Sequence, residues 1–193
     1  MVRLLFSLLV SLFCVLSFAK DQAEVGEGAY ITRIEPHIRE EKLYIDVDTH
    51  LELSNELSNA AEKGVPLYFV AEVEVFQSRW WWLNKTVVKE QQTWRVVYNA
   101  LTRQWRVSTA DLYLPESTLG DALSSIRHIR GWALAYAIDL ERDVEYEGRV
   151  RLRLDTSLLA RPFQVDAINS SAWTLATPWK SFSFSVSVDE SLR

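Results

Sequence analysis

Cysteine is nearly absent from this chain. Its 193 residues contain a single cysteine, Cys14, and only three histidines, His37, His50 and His128. A lone cysteine excludes an intrachain disulfide, since a disulfide joins two of them. Structural zinc sites need several cysteine or histidine ligands. We therefore expect neither a disulfide framework nor a metal site.

Glycine is also scarce, with six residues, and none of them forms a phosphate-binding loop. No serine lies in the G-x-S-x-G pattern of a hydrolase nucleophile. We therefore expect no cofactor and no catalytic residues, and we favour a non-enzymatic role. A hydrolase stays an alternative, because serine, histidine and an acid can converge in space from distant positions.

An excess of positive charge is missing as well. The chain has 21 Lys and Arg against 26 Asp and Glu, a formal net charge of −5. Proteins that bind nucleic acid present a net basic surface to the phosphates. We expect no nucleic-acid partner.

The first residues have the pattern of a secretion signal. Arg3 precedes an apolar run over residues 4–18, and Ser17-Phe18-Ala19 offers a small-x-small cleavage site. A membrane-spanning helix needs about 20 apolar residues, so this run is short for one, and no second long run follows. We predict a cleaved signal at residues 1–19, export to the periplasm, and no later transmembrane span.

Cleavage would remove 19 of 193 residues and leave 174, with a formal charge of −6 because Arg3 is lost. Gly26 and Gly28 among acids suggest a flexible lead at residues 20–29. A chain of this size can bury roughly 70% of its unfolded surface, which suits one β-rich domain over residues 30–193.

Apolar and polar residues alternate along most of the remaining chain, the pattern of half-buried strands. The alternating segments are residues 30–34, 43–53, 67–76, 94–98, 105–107, 132–140, 146–154 and 182–188. We predict a mainly β fold, an antiparallel β-sandwich or open barrel of about eight strands, with two short amphipathic helices.

Capping residues mark those helices. The first begins at a Ser54 cap and ends at Gly64. The second begins at Ser117 or Thr118 and stops at Gly131, so it includes His128. Its apolar stripe is Leu119, Leu123, Ile126 and Ile129.

Turn positions predict how the strands pair. A turn at Asn84 and Lys85 sets Val75 opposite Trp94, and a connection over residues 99–102 sets Trp105 opposite Val96. A loop over residues 141–145 pairs the segments 132–140 and 146–154, with Tyr136 opposite Val150. Each pairing keeps the apolar residues on one face of the sheet.

Three tryptophans in a row, Trp80, Trp81 and Trp82, precede the predicted turn. Neighbouring strand residues point to opposite faces, so Trp81 joins the core and the other two fall on the polar face. There Trp80 would lie opposite Lys89, a geometry that allows a cation–π contact. Three interpretations stay open: packing under another segment, a binding surface formed by Trp80, Trp82 and Lys89, or a bulge that turns one ring inward.

Two charged rows lie on predicted outer faces. Arg149, Arg151 and Arg153 share one face of a strand with Glu147 and Asp155. They can bind an anionic group or pair with an acidic neighbouring strand. The expected neighbour is the acidic strip, defined as Asp46, Asp48, His50 and Glu52, which we interpret as a solvated face rather than a metal site.

Five segments together resemble a family of exported proteins of Gram-negative bacteria that is known only as a domain of unknown function. They are LSNAAEKGVPLYF (57–69), RWWW (79–82), WRVVYNALTRQW (94–105), LGDALSSI (119–126) and RLRLDTSLLARPFQV (151–165). The resemblance covers most of the predicted domain and rests on the order and spacing of the segments. Members are often encoded beside a nitrogen-regulation-type sensor kinase, and the resemblance supplies no catalytic residues.

These features predict an exported, non-enzymatic interaction or accessory protein of the cell envelope. The expected partner is an envelope protein such as a sensor kinase, bound through Trp80, Trp82, Lys89 or the arginine row. The alternative is a lipid- or glycan-binding module with an aromatic-lined surface. A cavity within the fold would favour that alternative, and a filled core would count against it.

Overall fold

The computed structural model describes residues 28–77, 85–110, 112–136, 140–141, 144–168 and 170–186. Trp80, Trp81, Trp82 and the predicted signal at residues 1–19 lie outside these ranges. The described strands are β1 (Ala29–Arg39), β2 (Lys42–Leu51), β3 (Leu67–Gln77), β4 (Lys85–Asn99), β5 (Gln104–Ser108), β6 (Tyr113–Glu116), β7 (His128–Tyr136), β8 (Glu145–Leu154) and β9 (Lys180–Ser185). The helices are α1 (Asn55–Glu62), α2 (Leu119–Arg127) and α3 (Arg161–Ile168), with 3₁₀ turns at Thr156–Leu158 and Ser171–Trp173.

The strands form two antiparallel sheets. The smaller has the order β1-β2-β7, and the larger has the order β6-β5-β4-β3-β8-β9. Lys180 Nζ joins the two sheets by donating to the carbonyl oxygens of Ile31, at 3.1 Å, and Thr32, at 2.7 Å. This architecture confirms the predicted mainly β sandwich or open barrel, with nine described strands.

Alternate residues of the long strands make a common core. Leu43 and Ile45 of β2 are fully buried, as are Leu67 and Phe69 of β3. The helices add Leu57 and Ala61 from α1 and Ala122, Leu123 and Ile126 from α2. Side chains therefore fill the space between the sheets in the described part of the chain.

Both predicted helices are present with their caps. The Ser54 hydroxyl accepts from the Leu57 N–H at 3.1 Å, and the Thr118 hydroxyl accepts from the Asp121 N–H at 3.0 Å. The prediction that α2 continues to Gly131 was wrong. His128 is instead the first residue of β7, because the chain becomes extended there and pairs with β2. None of the described helices combines the length and hydropathy needed to cross a bilayer.

The predicted registers were wrong, although the faces were right. Phe69, rather than Val75, lies opposite Trp94, and Val107, rather than Trp105, lies opposite Val96. The first register differs by six positions and the second by two. Because both shifts are even, each side chain keeps its face of the sheet and the apolar core is preserved.

The predicted pairing of Tyr136 with Val150 was also wrong. β7 pairs with β2 in the smaller sheet, whereas β8 lies between β3 and β9 in the larger one. Tyr136 is exposed, and the Lys42 ammonium lies 4.9 Å from its ring centroid. Similar alternation in two strands does not show that they are neighbours.

The sequence did not predict α3. Its Phe163 and Val165 are exposed, so its apolar residues do not form the buried stripe that marks an amphipathic helix in sequence. The helix contacts the flanking 3₁₀ turns at Thr156–Leu158 and Ser171–Trp173.

Candidate functional site

The outer face of the larger sheet brings the arginine row against two glutamates of β3. The antiparallel register sets Glu74 opposite Arg149 and Glu72 opposite Arg151. On the other side of β3, Lys89 of β4 lies opposite Glu74. Side chains of three adjacent strands therefore meet on one surface, since residues in register share a face.

Glu74 accepts hydrogen bonds from both neighbouring strands. Arg149 donates to Glu74 Oε2 through Nη2 at 2.6 Å and through Nε at 3.0 Å. Lys89 Nζ lies 3.2 Å from Glu74 Oε1 on the opposite side. The side chain of Glu74 is 15% exposed, whereas that of Lys89 is 76% exposed. Arg149 is thus the main partner of the Glu74 carboxylate.

Glu72 bridges two arginines. Arg151 Nε donates to one oxygen of Glu72, and Arg153 Nε donates to the other at 3.0 Å. Arg153 also reaches Asp155, with Nη1 lying 3.0 Å from Oδ2. Both carboxylate oxygens of Glu72 therefore accept hydrogen bonds from the arginine row.

Trp179 completes the surface, and the sequence analysis missed it. The guanidinium carbons of Arg149 and Arg151 each lie 4.5 Å from its ring centroid. Arg149 also lies 5.3 Å from the ring centroid of Phe76. Such stacking keeps planar guanidinium groups oriented while they remain partly in solvent.

A sequence signal for Trp179 existed. The exposed residues of β9 are Ser181, Ser183 and Ser185, which lie opposite Arg149, Glu147 and Glu145. One more step of this alternation toward the N-terminus reaches Trp179 and places it beside Arg151. The prediction began the strand at Phe182 and stopped short of this position.

The carboxylates of this surface have lowered pKa values. Burial alone would raise the pKa of Glu72, but hydrogen bonds from Arg151 and Arg153 outweigh it. The hydrogen bond from Arg149 is the largest influence on Glu74 and lowers its pKa against the effect of burial. A general acid needs a raised pKa near neutrality, so neither glutamate suits that role.

We call Glu72, Glu74, Lys89, Arg149, Arg151, Arg153 and Trp179 together the arginine–tryptophan face. A groove of about 400 Å³ opens on it. The lining residues are Glu72, Val73, Glu74, Lys89, Glu90, Gln91, Arg151 and Trp179. Both charge signs and an aromatic ring are thus available to a bound molecule.

The structure corrects two parts of the site prediction. Lys89 lies opposite Glu74 rather than Trp80, because the β3–β4 register differs from the predicted one. The acids that pair with the arginine row are Glu72, Glu74 and Asp155, not the acidic strip. Asp46, Asp48 and His50 of the strip lie on β2 in the other sheet, which does not pair with β8. The predicted surface residues Trp80 and Trp82 lie outside the described ranges.

The acidic strip has its own partners in the smaller sheet. Asp46 accepts from the Gly131 N–H at 2.7 Å, and Asp48 contacts both Arg130 and His128, the latter at 2.8 Å. The hydrogen bond with His128 is the largest influence that lowers the pKa of Asp48. Within the described ranges, no group of three or more histidines, aspartates and glutamates is placed to bind one metal ion.

The fold and surface define a class, an antiparallel β protein with a charged, arginine-rich outer face. A family model described as a domain of unknown function (DUF4390) matches residues 26–183. Because the match covers most of the chain, the protein belongs to this family. No significant match was found among curated proteins or among solved structures.

Membership confirms the resemblance as far as a family of unknown function. Export, a Gram-negative source and a neighbouring sensor kinase stay predictions.

Proposed function

We propose that this protein is an exported, non-enzymatic interaction protein of the cell envelope whose partner binds the arginine–tryptophan face. The observation that carries the proposal is the pair of cation–π contacts that Arg149 and Arg151 make with Trp179 beside an open groove. Arginine and tryptophan are enriched among the residues that dominate binding energy at protein interfaces. Stacking also limits the rotamer freedom that the arginines would lose on binding.

The state of the carboxylates supports binding rather than catalysis. The lowered pKa values of Glu72 and Glu74 keep both groups ionised at neutral pH, each with an arginine partner. An ionised, paired carboxylate is a poor proton donor and a good electrostatic recognition element. The face therefore offers a fixed pattern of charge to a partner.

A protein partner is favoured over a lipid or a glycan. Large side chains such as Phe69 and Tyr146 fill the core between the sheets, where a lipid would need a cavity. The ring of Trp179 is already stacked with two guanidinium groups, which a sugar would have to displace. A protein surface can instead add carboxylates around the arginines without breaking that stack.

Export is supported by the apolar run over residues 4–18 and the cleavage pattern at residues 17–19. The family resemblance makes an envelope sensor kinase the first partner to test. An exported protein would contact the part of such a sensor that lies outside the cytoplasm.

The partner is tested by photocrosslinking in living cells. A photoreactive residue replaces Gln91, which lines the groove, and a matched probe replaces His50 on the acidic strip. We expect one envelope protein to be captured from position 91, not from position 50, and its capture to fall in a Trp179→Leu variant. Equal capture from both positions, or capture unaffected by Trp179→Leu, would contradict the proposal.

Export is tested separately by the intact mass of the protein recovered from periplasmic and cytoplasmic fractions. We expect a periplasmic species that begins at Lys20. An uncleaved chain confined to the cytoplasm would contradict export. It would not contradict binding of a partner at the arginine–tryptophan face.

A further inference from the structure

Two strand edges approach each other where the sheets meet. β4 has 15 residues, but β5 pairs only with its last five, Arg95–Asn99. No described strand pairs with the earlier part of β4 on that side. Within the same ranges, β7 pairs with β2 alone. Unpaired edges present backbone donors and acceptors that a further strand can use.

A cleft of about 760 Å³ lies between these two strands. Gln91, Thr93 and Arg95 of β4 line one part of it, and Arg130 and Trp132 of β7 line another. Ser108, the last residue of β5, and residues 109–110 after it also contribute. The cleft adjoins the arginine–tryptophan face at Gln91, which lines both, but is otherwise built from different residues.

The charge of the cleft differs from that of the whole chain. Among the residues that the structure describes, its lining includes two arginines and no carboxylate, whereas the chain has a net charge of −5. Arg130 is paired with Asp48, but no ion pair among the described residues includes Arg95. An acidic ligand would therefore complement the cleft.

Other edges are less open to a new strand. β6 is an edge strand of only four residues and contains Pro115, which lacks a backbone N–H. β9, at the opposite edge, is joined to β1 through Lys180. β1, the remaining described edge, contains Pro36, and Lys180 binds its Ile31 and Thr32 carbonyls. Of the edges that the structure describes, those at the cleft therefore have the longest stretch without such protection.

We propose that the cleft binds an extended, acidic segment of a partner protein, which adds as a strand to the unpaired edge of β4. Backbone hydrogen bonds to β4 would provide affinity, and side-chain contacts with Arg95 and Arg130 would select acidic residues. The part of β4 that precedes Arg95, residues 85–94, spans about 30 Å at roughly 3.4 Å per residue, enough for a short strand.

The probe is a fluorescent octapeptide of sequence TEVDVEVT, which alternates apolar or β-branched residues with acids. Controls are TKVKVKVT, with opposite charge, and TEPDPEVT, in which proline removes backbone donors. Binding is followed by fluorescence anisotropy, and the edge of β4 by amide hydrogen exchange. We expect only TEVDVEVT to bind, with affinity falling as salt rises and with slower exchange within residues 85–94.

Three results would overturn the proposal. The first is no binding of TEVDVEVT up to ~1 mM, a concentration at which the binding free energy is only about −4 kcal/mol. The second is equal binding of a control peptide. The third is a self-associated dimer that buries the cleft. Sedimentation velocity over a range of concentrations detects the dimer.

An Arg95→Gln variant should bind TEVDVEVT roughly fivefold more weakly, the loss of about 1 kcal/mol expected for a charge contact near a surface. Arg103→Gln, in the exposed turn between β4 and β5, is the matched control and should bind unchanged. Trp179→Leu should also bind this peptide unchanged, so the result is independent of the proposed partner surface. A thermal melt verifies that each variant is folded.

Discussion

The two sheets expose outer faces that look alike in sequence and differ in structure. On the smaller sheet, members of the acidic strip make separate contacts, with Asp46 on a backbone N–H and Asp48 on β7. On the larger sheet, Glu72 and Glu74 lie between two strands that both contribute polar residues. The contacts on the smaller sheet are separate from one another, whereas those on the larger sheet form one connected network.

The difference comes from the neighbouring strands. Glu52 lies just beyond the end of β2, and its side chain is 70% exposed. Glu72 is in the middle of β3 and its side chain is 18% exposed. Exposed ion pairs contribute little to stability because water and salt screen them, whereas a less exposed acid depends more on its partners. We expect the two faces to respond differently to the same kind of substitution.

The largest loss of stability should come from a substitution at Gly148 in β8, the strand that carries the arginine row. A Cβ atom at Gly148 would lie only 2.2 Å from Phe182 Cζ, so Gly148→Val forces the Phe182 ring of β9 out of its place against β8. We expect the free energy of unfolding to fall by about 3 kcal/mol, measured by urea denaturation.

Ala133→Val, at an exposed position of β7 in the smaller sheet, is the control and should change stability little. Adding Phe182→Ala to Gly148→Val removes the clashing ring and should cost less than the two single changes summed. Simple additivity would show that the contact with Phe182 is not the cause.

Removing Glu72 should have the next largest effect. Glu72→Ala leaves Arg151 and Arg153 without a shared acceptor, and we expect a loss of about 2 kcal/mol in the free energy of unfolding. Glu52→Ala on the acidic strip should cost less than about 0.5 kcal/mol. Equal losses in urea denaturation would remove the contrast between the two faces.

Acid should weaken the network for the same reason. Glu72, Glu74 and Asp155 have lowered pKa values in the folded state, so the stability they add is complete above their ordinary values. It is lost as the pH falls through the lowered values, because the unfolded chain then binds more protons.

Urea denaturation between neutral pH and about pH 3 measures this loss, which should begin near the ordinary glutamate value of 4.5. For Glu72 the effect should be smaller than that of Glu72→Ala, since a protonated carboxyl still accepts one hydrogen bond. Glu72→Gln should flatten the pH profile. A profile identical to that of the unmodified protein would contradict the role given to Glu72.

Trp179 should contribute less than the glutamates. Trp179→Leu removes two cation–π contacts at the edge of the network, with an expected loss of about 1 kcal/mol. Tyr30→Leu, which removes the ring stacked on His50 beside the acidic strip, is the matched change and should cost less. A larger loss for Tyr30→Leu in urea denaturation would reverse this part of the comparison.

The smallest effect should come from Lys89. Its ammonium group is exposed and is one of two partners of Glu74, so Lys89→Gln should cost less than about 0.5 kcal/mol. Urea denaturation measures this loss in the free energy of unfolding. A larger loss would mean that Lys89 is integral to the network.

Much of the fold was predictable because strand alternation and helix caps are local. The caps at Ser54 and Thr118 and the buried faces of β2, β3 and β8 follow from neighbouring residues alone. α3 was not predictable, since its Phe163 and Val165 are exposed. The arginine row was identified as one face, but its partners Glu72 and Glu74 were not.

The sequence by itself determined which side of β2, β3 and β8 faces the core, because the pleat sends alternate side chains to opposite faces. Tertiary structure decided which strands are neighbours and in what register. An even shift, such as the one that moved Lys89 to a position opposite Glu74, leaves the alternation unchanged, so the pattern cannot choose between the two registers. The arginine–tryptophan face depends on that choice, since Glu74 and Trp179 reach Arg149 only through long-range strand pairing.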